Sequence, residues 1–228
     1  MRQRESIFLF LSGIFITSLI LGNIVGITKF IKLDIPGIWT FTIPVGLLAY
    51  PITFLATDLI CEIYGKARAQ NLVWVGFFMN IFMLFLMVLG HWLPDASGVS
   101  GATSTFESVY SFMVGGVIAS MIAYLVAQSC DVHLFHFWKK LTKGKHLWLR
   151  NCGSTFFSQL VDTVAILSIL FYFVDNGLGP DVKTLQDLLV LIGHSYLFKL
   201  TFALLDTPFF YLGVFVLKEK MGIEASKD

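Results

Sequence analysis

Six long apolar stretches, separated by short polar segments, dominate the chain. They predict transmembrane helices over approximately residues 7–27, 39–60, 72–93, 110–128, 154–174 and 190–217. A helix of about 20 apolar residues crosses a bilayer core of about 30 Å, and the stretches are too unbroken for barrel strands. The last apolar stretch is longer than one crossing requires, which predicts an amphipathic lead-in, a strong tilt or a break near Pro208. The pattern therefore predicts an all-α integral membrane protein, with residues 1–228 forming one domain of six helices.

The distribution of lysine and arginine predicts the orientation of this bundle. Twelve basic residues fall in the N-terminal segment, the second and fourth loops and the C-terminal tail, against three in the remaining loops. Basic loops stay in the cytosol, so we expect both ends to be cytosolic. No A-x-A-like site flanks a span, so we expect no cleaved signal peptide.

Composition agrees with a membrane protein and excludes several other classes. Hydrophobic residues make up 56% of the chain, charged residues make up 14% and mean hydropathy is +0.78, whereas soluble domains carry roughly 25% charged residues. A net charge of +1 gives no reason to expect a nucleic-acid partner.

Cys130, His133 and His136 lack a fourth zinc ligand, so we predict no metal and no cofactor. The chain also lacks a phosphate-binding loop and should not hydrolyse ATP itself.

Polar residues inside the spans are the strongest functional signal. Asp162 lies near the middle of the fifth span, with Ser158 and Gln159 on the same helical face. Lys199 lies in the sixth span. A charge at this depth costs several kcal/mol, so it usually has a partner or a function. A purely structural Asp162–Lys199 ion pair is the alternative to a substrate site.

Further polar residues lie near the ends of other spans. Asp58 and Glu62 are four residues apart at the end of the second span, and Gln128 and Asp131 are three apart at the end of the fourth. Asn23 lies deep enough in the first span to need a hydrogen-bond partner. The alternative for Asp58 and Glu62 is a solvated helix end.

Small residues recur at the spacing that lets membrane helices approach closely. Gly22 and Gly26 form such a pair in the first span, and small residues repeat every four positions along the fourth, at Gly115, Ala119, Ala123 and Ala127. They predict contact with another helix of the chain or with a second subunit, so a homodimer is one possibility.

Three sets of these residues together resemble the signature of the queuosine precursor transporter family, also called the vitamin uptake transporters. The first set is Thr57-Asp58-Leu59 with Glu62, Tyr64 and Gly65; the second is Gln128, Asp131-Val132 and Phe135; the third is Ser158 and Asp162-Thr163. Phe198-Lys199 and Pro208 are also similar to the last helix of that family. The resemblance covers most of the chain, from the second span to the sixth.

The resemblance implies import of a small molecule, 7-cyano- or 7-aminomethyl-7-deazaguanine, through the bacterial inner membrane for tRNA queuosine synthesis. We expect Asp162 to bind the donor edge of the base, with Asn23, Gln128, Gln159 and Lys199 completing the polar contacts. Transport would proceed by alternating access around a mid-membrane site. Residues assigned to gating or helix anchoring are Asp58, Glu62, Asp131 and Asp206.

Other functions remain open at this point. The nearest alternative is the membrane subunit that binds substrate for an energy-coupling-factor vitamin transporter, although Gly22 and Gly26 replace its usual Ala-x-x-x-Ala pattern. An intramembrane hydrolase lacks its nucleophile motif here. Transport could be facilitated, proton-coupled through Asp162 or Asp206, or driven by a partner ATPase.

Overall fold

A computed structural model describes residues 2–25, 30–35, 39–94, 102–143, 146–173 and 182–220. The helices are α1 (Arg2–Ile24), α2 (Tyr50–Tyr64), α3 (Lys66–Trp92), α4 (Ala102–Leu141), α5 (Leu147–Phe173) and α6 (Leu185–Phe215). Six helical segments within these ranges are long and apolar enough to cross a membrane. The predicted helical membrane bundle is therefore confirmed, while its orientation stays a prediction. Gly26, of the predicted glycine pair, lies outside the described residues.

A two-stranded antiparallel sheet stands where the second predicted span was expected to begin. Strand β1 (Phe30–Ile35) pairs with β2 (Trp39–Pro44), and in this register the backbone of Phe30 lies opposite that of Pro44 and the backbone of Ile35 lies opposite that of Trp39. The prediction of helix from residue 39 was wrong because β2 is rich in aromatic and β-branched residues, which favour strands. A 3₁₀ segment, Val45–Ala49, follows β2, and α2 begins only at Tyr50.

Two helices are longer than the apolar pattern indicated. α4 has 40 residues, a length of about 60 Å, and continues 13 residues beyond the predicted end at Gln128. Polar residues lower hydropathy without interrupting helical hydrogen bonding, so Asp131 lies within α4 rather than at its end. α6 passes through Pro208 without a break.

The start of α6 is fixed by a capping box. The Thr184 hydroxyl accepts the backbone N–H of Asp187 at 3.2 Å, and the Asp187 carboxylate accepts the backbone N–H of Thr184 at 2.9 Å. This arrangement satisfies two donors that a helix start otherwise leaves unbonded. It places the first turn of α6 several residues before the predicted span.

α2 is the central helix of the bundle. It contacts α1, α3, α4 and α6, and every residue from Thr53 to Tyr64 except Leu55 is buried. Gly213 of α6 lies so close that an added Cβ would be 2.9 Å from the Leu59 side chain. The other helices expose large apolar side chains on their outer faces, as expected for surfaces that face lipid.

The rows of small residues serve packing within one chain. A Cβ on Gly22 of α1 would lie 3.3 Å from the Ala49 Cβ and 3.4 Å from the Gly46 carbonyl. Ala119, Ala123 and Ala127 of α4 are each 1% exposed. Contacts within one chain therefore account for the burial of these small residues without a second subunit, and a homodimer stays a prediction.

A buried amide network ties α1, α3 and α4 together. Asn23 Nδ2 donates to Asn80 Oδ1 at 2.6 Å, and Ser120 Oγ donates to Asn23 Oδ1 at 2.8 Å. Asn80 Nδ2 donates in turn to the Gly76 carbonyl at 3.0 Å. The hydrogen-bond partners that Asn23 was expected to need are therefore present in the bundle itself.

We predict that Asn80→Ala destabilises the protein by about 1–3 kcal/mol, because it removes the acceptor of a part-buried amide. The melting temperature of the purified protein in detergent should fall accordingly. Asn71→Ala is the matched control, since Asn71 is exposed on the same helix, and it should leave the melting temperature unchanged. Equal losses in the two variants would contradict the role given to the network.

Candidate functional site

An ion pair between Asp162 of α5 and Lys199 of α6 lies at the centre of the site. Lys199 Nζ donates to Asp162 Oδ2 at 2.5 Å, and the two side chains are 6% and 1% exposed. The ammonium also lies 4.5 Å from the centroid of the Tyr50 ring, within the range of a cation–π contact. The structure therefore brings the two predicted charged residues together and adds Tyr50 to them.

Tyr50 reaches the ion pair because of where α2 begins. The strand pair and the 3₁₀ segment occupy residues 30–49, so Tyr50 is the first residue of the central helix. Pro51 follows in the first turn, a position where its missing N–H leaves no helical hydrogen bond unmade. The Tyr50 ring stacks on the Phe54 ring, with centroids 6.3 Å apart and planes 20° apart.

A first cavity of about 40 Å³ lies between α1, α2 and α4, with Asp162 in its wall. Its other polar lining residues are Ser18, Asn23, Tyr50, Thr53, Ser120, Tyr124 and Gln128. Gln128 is 1% exposed, and its Oε1 atom has no hydrogen-bond partner within the described part of the chain. This buried acceptor and the Asp162 carboxylate border the same space.

A second, smaller cavity of about 20 Å³ lies between α2, α5 and α6. Its polar lining residues are Tyr50, Thr155, Gln159, Lys199 and Asp206. Tyr50 and Phe54 line both cavities, so the stacked rings form a shared wall. The ion pair joins the two spaces, because Asp162 borders the first and Lys199 borders the second.

The predicted binding residues are divided between these spaces. Asn23 and Gln128 border the first cavity and Gln159 borders the second. Asn23 is also committed to the amide network, whereas Gln128 and Gln159 each have an Oε1 atom with no partner among the described residues. Their assignment to substrate binding stays a prediction.

The residues assigned to gating or anchoring are also divided. Asp58, Glu62 and Asp131 are 2%, 3% and 1% exposed, so the alternative of a solvated helix end was wrong. None of the three borders either cavity. Asp206 instead lies in the wall of the second cavity, about two helical turns from Lys199.

The buried carboxylates away from the cavities link neighbouring helices. Ser158 Oγ of α5 donates to Asp131 Oδ1 of α4 at 2.9 Å. Lys218, just after α6, donates to Glu62 Oε1 of α2 at 2.5 Å. These contacts agree with an anchoring role, and a role in gating stays a prediction.

From the sequence, Tyr50 and Phe54 could be named as rings able to stack on a planar ligand but not chosen among the aromatic residues, and Thr155 was missed as a site residue. An aromatic residue directly before a proline signals a helix start, but its neighbours depend on tertiary packing. Thr155 carried no signal apart from its place one turn before Gln159 on α5. The described residues hold no group of three or more His, Cys, Asp or Glu side chains able to bind a metal ion.

The helices from α2 to α6 lie almost wholly within the part of the chain that matches a known protein family. A family model described as "Putative vitamin uptake transporter" matches residues 44–213 of the 228. The chain belongs to this family. The match includes every cavity-lining residue on α2, α4, α5 and α6, while Asn23 on α1 lies outside it.

Curated relatives of this vitamin uptake transporter family member are named as transporters. A Bacillus subtilis (strain 168) protein named "Probable queuosine precursor transporter" is 29% identical over 75% of this chain and 71% of its own length. The Escherichia coli (strain K12) "Queuosine precursor transporter" is 27% identical over 68% and 64%. A Haemophilus influenzae protein named "Probable queuosine precursor transporter" is 32% identical over 56% and 51%. No solved structure matches the chain.

We predict that Lys199→Met destabilises the transporter by about 3–5 kcal/mol, because it leaves the buried Asp162 carboxylate without its cation. The double variant Asp162→Asn/Lys199→Met should recover most of that loss, since no unpaired charge remains. Melting temperatures of the purified variants in detergent test this, with Lys183→Met at an exposed position as the control. If the double variant is no more stable than Lys199→Met, the loss of stability does not come from the unpaired Asp162 carboxylate.

Proposed function

We propose that this chain imports queuosine precursors, bases of the 7-deazaguanine type, through the bacterial inner membrane for tRNA modification. One observation carries the proposal: a buried carboxylate, Asp162, and an unpartnered amide oxygen, Gln128 Oε1, border one cavity inside the bundle. Relatives named for queuosine precursor transport support the choice of substrate. Cytosolic ends and a homodimer belong to the same proposal.

The chemistry of a guanine-like base suits this cavity. Its edge carries a ring N–H beside an amino group, and a carboxylate can accept both in a bidentate pair. Asp162 supplies the carboxylate, and Gln128 Oε1 can accept a further N–H. Lys199 lies at the boundary with the second cavity, from which its ammonium can donate to the carbonyl oxygen of the base once the site widens. The Tyr50 ring can stack on the base once the base replaces one of its present contacts, with the Lys199 ammonium or with the Phe54 ring.

Binding must widen the first cavity. A volume of about 40 Å³ holds about three water molecules, which is less than a fused-ring base needs. The tight contact between Gly22 of α1 and the Gly46–Ala49 segment closes one side of this cavity. We propose that α1 and the start of α2 separate to admit the base, as one step of alternating access.

The alternative, a substrate-binding subunit of an energy-coupling-factor transporter, has no specific support in the structure. That class uses small residues of its first span to dock a partner. Gly22, the member of the predicted pair within the described residues, packs against the chain's own Ala49 and Gly46. Import that depends on partner ATPases would favour this alternative.

We predict that Asp162→Asn lowers precursor uptake at least about tenfold, because the bidentate charged acceptor is lost. A bacterium unable to make queuosine precursors would express the wild type or the variant, and queuosine in its tRNA would be measured at nanomolar external precursor. Membrane abundance of both proteins would be compared. Glu219→Gln, at an exposed position just beyond α6, is the control and should behave as wild type.

Two results would contradict the proposal at different levels. Full uptake by Asp162→Asn would show that Asp162 is not the recognition group. No restoration by a well-expressed wild type, with or without added ATPase partners, would show that the substrate is another molecule.

A further inference from the structure

The second cavity is lined by hydrogen-bond acceptors that have no donor. Gln159 Oε1 and Thr155 Oγ1 are buried and lack a partner within the described residues, and both side chains are 4% exposed. Asp206 faces the same space, half-buried, and its carboxylate makes no hydrogen bond or ion pair among those residues. Amide oxygen and carboxylate accept only, while the threonine hydroxyl can also donate. A ligand in this cavity must therefore bring hydrogen-bond donors.

The charges around this cavity do not balance. Lys199 is the one cation in its wall as described, and its ammonium is already bonded to Asp162 at 2.5 Å. Asp162, Lys199 and Asp206 therefore sum to one negative charge when all are ionised. Electrostatic interactions strengthen where water is scarce, so a single additional cation would be favoured here.

The size of the cavity limits what that cation can be. A volume of about 20 Å³ holds one or two groups of about the size of water. An ammonium group fits this space without the widening that the first cavity needs for a ring. The Tyr50 and Phe54 rings line both cavities and separate them, so one ligand can place a ring in the first space and a short substituent in the second once these rings part.

We propose that the second cavity binds the primary ammonium group of the transported base, so that the aminomethyl precursor is preferred over its uncharged cyano counterpart. This inference rests on the proposed function and adds a specificity site to it. Asp206 provides the countercharge, while Gln159 Oε1 and Thr155 Oγ1 accept the remaining N–H groups. A primary ammonium has three donors, which matches these three acceptors in number.

The test compares uptake of the two precursors, each supplied alone as a radiolabelled compound, by cells expressing wild type or Asp206→Asn. We expect the wild type to take up the aminomethyl base at least about tenfold faster at limiting concentration. Asp206→Asn should lose most of this advantage and keep uptake of the cyano base within about twofold. Glu219→Gln, exposed just beyond α6, removes a carboxylate away from the cavity and should match the wild type.

A second variant covers the case in which Asp206→Asn fails to accumulate in the membrane. Thr155→Val removes one acceptor with little change of volume, and should reduce uptake of the aminomethyl base severalfold while sparing the cyano base. Equal uptake of both bases by the wild type, or equal loss of both in the variants, would overturn the inference and leave the proposed function standing. Uptake of neither base by well-expressed wild type would overturn both.

Discussion

The buried pair of Asp162 and Lys199 is the constraint on which the arrangement of the bundle depends. Removing either charge from water costs several kcal/mol, and only a close partner offsets that cost. The 2.5 Å contact therefore fixes α5 against α6, and the cation–π contact fixes both against the first turn of α2. A ligand that binds either charged group must itself offset the desolvation cost that the ion pair now offsets. Ligand binding and helix packing are thus coupled at one point.

The polar groups of the interior form two layers with different properties. Around the ion pair, two amide oxygens border cavities and have no hydrogen-bond partner in the part of the chain that the structure describes. Nearer the C-terminal end of α2, the carboxylates of Asp131 and Glu62 are bonded to side chains of other helices and border neither cavity. Unsatisfied buried acceptors are costly, and among the described residues only those around the ion pair border a cavity in which a ligand could satisfy them. We therefore propose that the first layer serves recognition and that the second holds helices together.

The cost of burying polar groups also explains which site residues could be predicted from the sequence. Asp162, Lys199, Gln128 and Gln159 could be selected because a polar group in an apolar span is costly whatever surrounds it. Tyr50 could not, since an aromatic residue in a membrane helix is ordinary until its neighbours are known. The strand at residues 39–44 was missed because a short apolar run fits strand and helix equally. The division into two cavities depends on how α2 packs against α1 and α6, which no local pattern encodes.

The excess of acceptors also narrows the kinds of ligand that the interior can hold. Gln128 Oε1, Gln159 Oε1 and the Asp206 carboxylate all require donors, and the cation in the described lining of the second cavity is already neutralised by Asp162. An anionic molecule would face Asp206 without a free cation, and like charges at short range in a poorly solvated site repel strongly. A neutral or cationic molecule rich in N–H groups meets no such penalty. The acceptor-rich interior of this member of the vitamin uptake transporter family therefore supports the proposal of a nitrogen-rich base over a carboxylate-bearing vitamin.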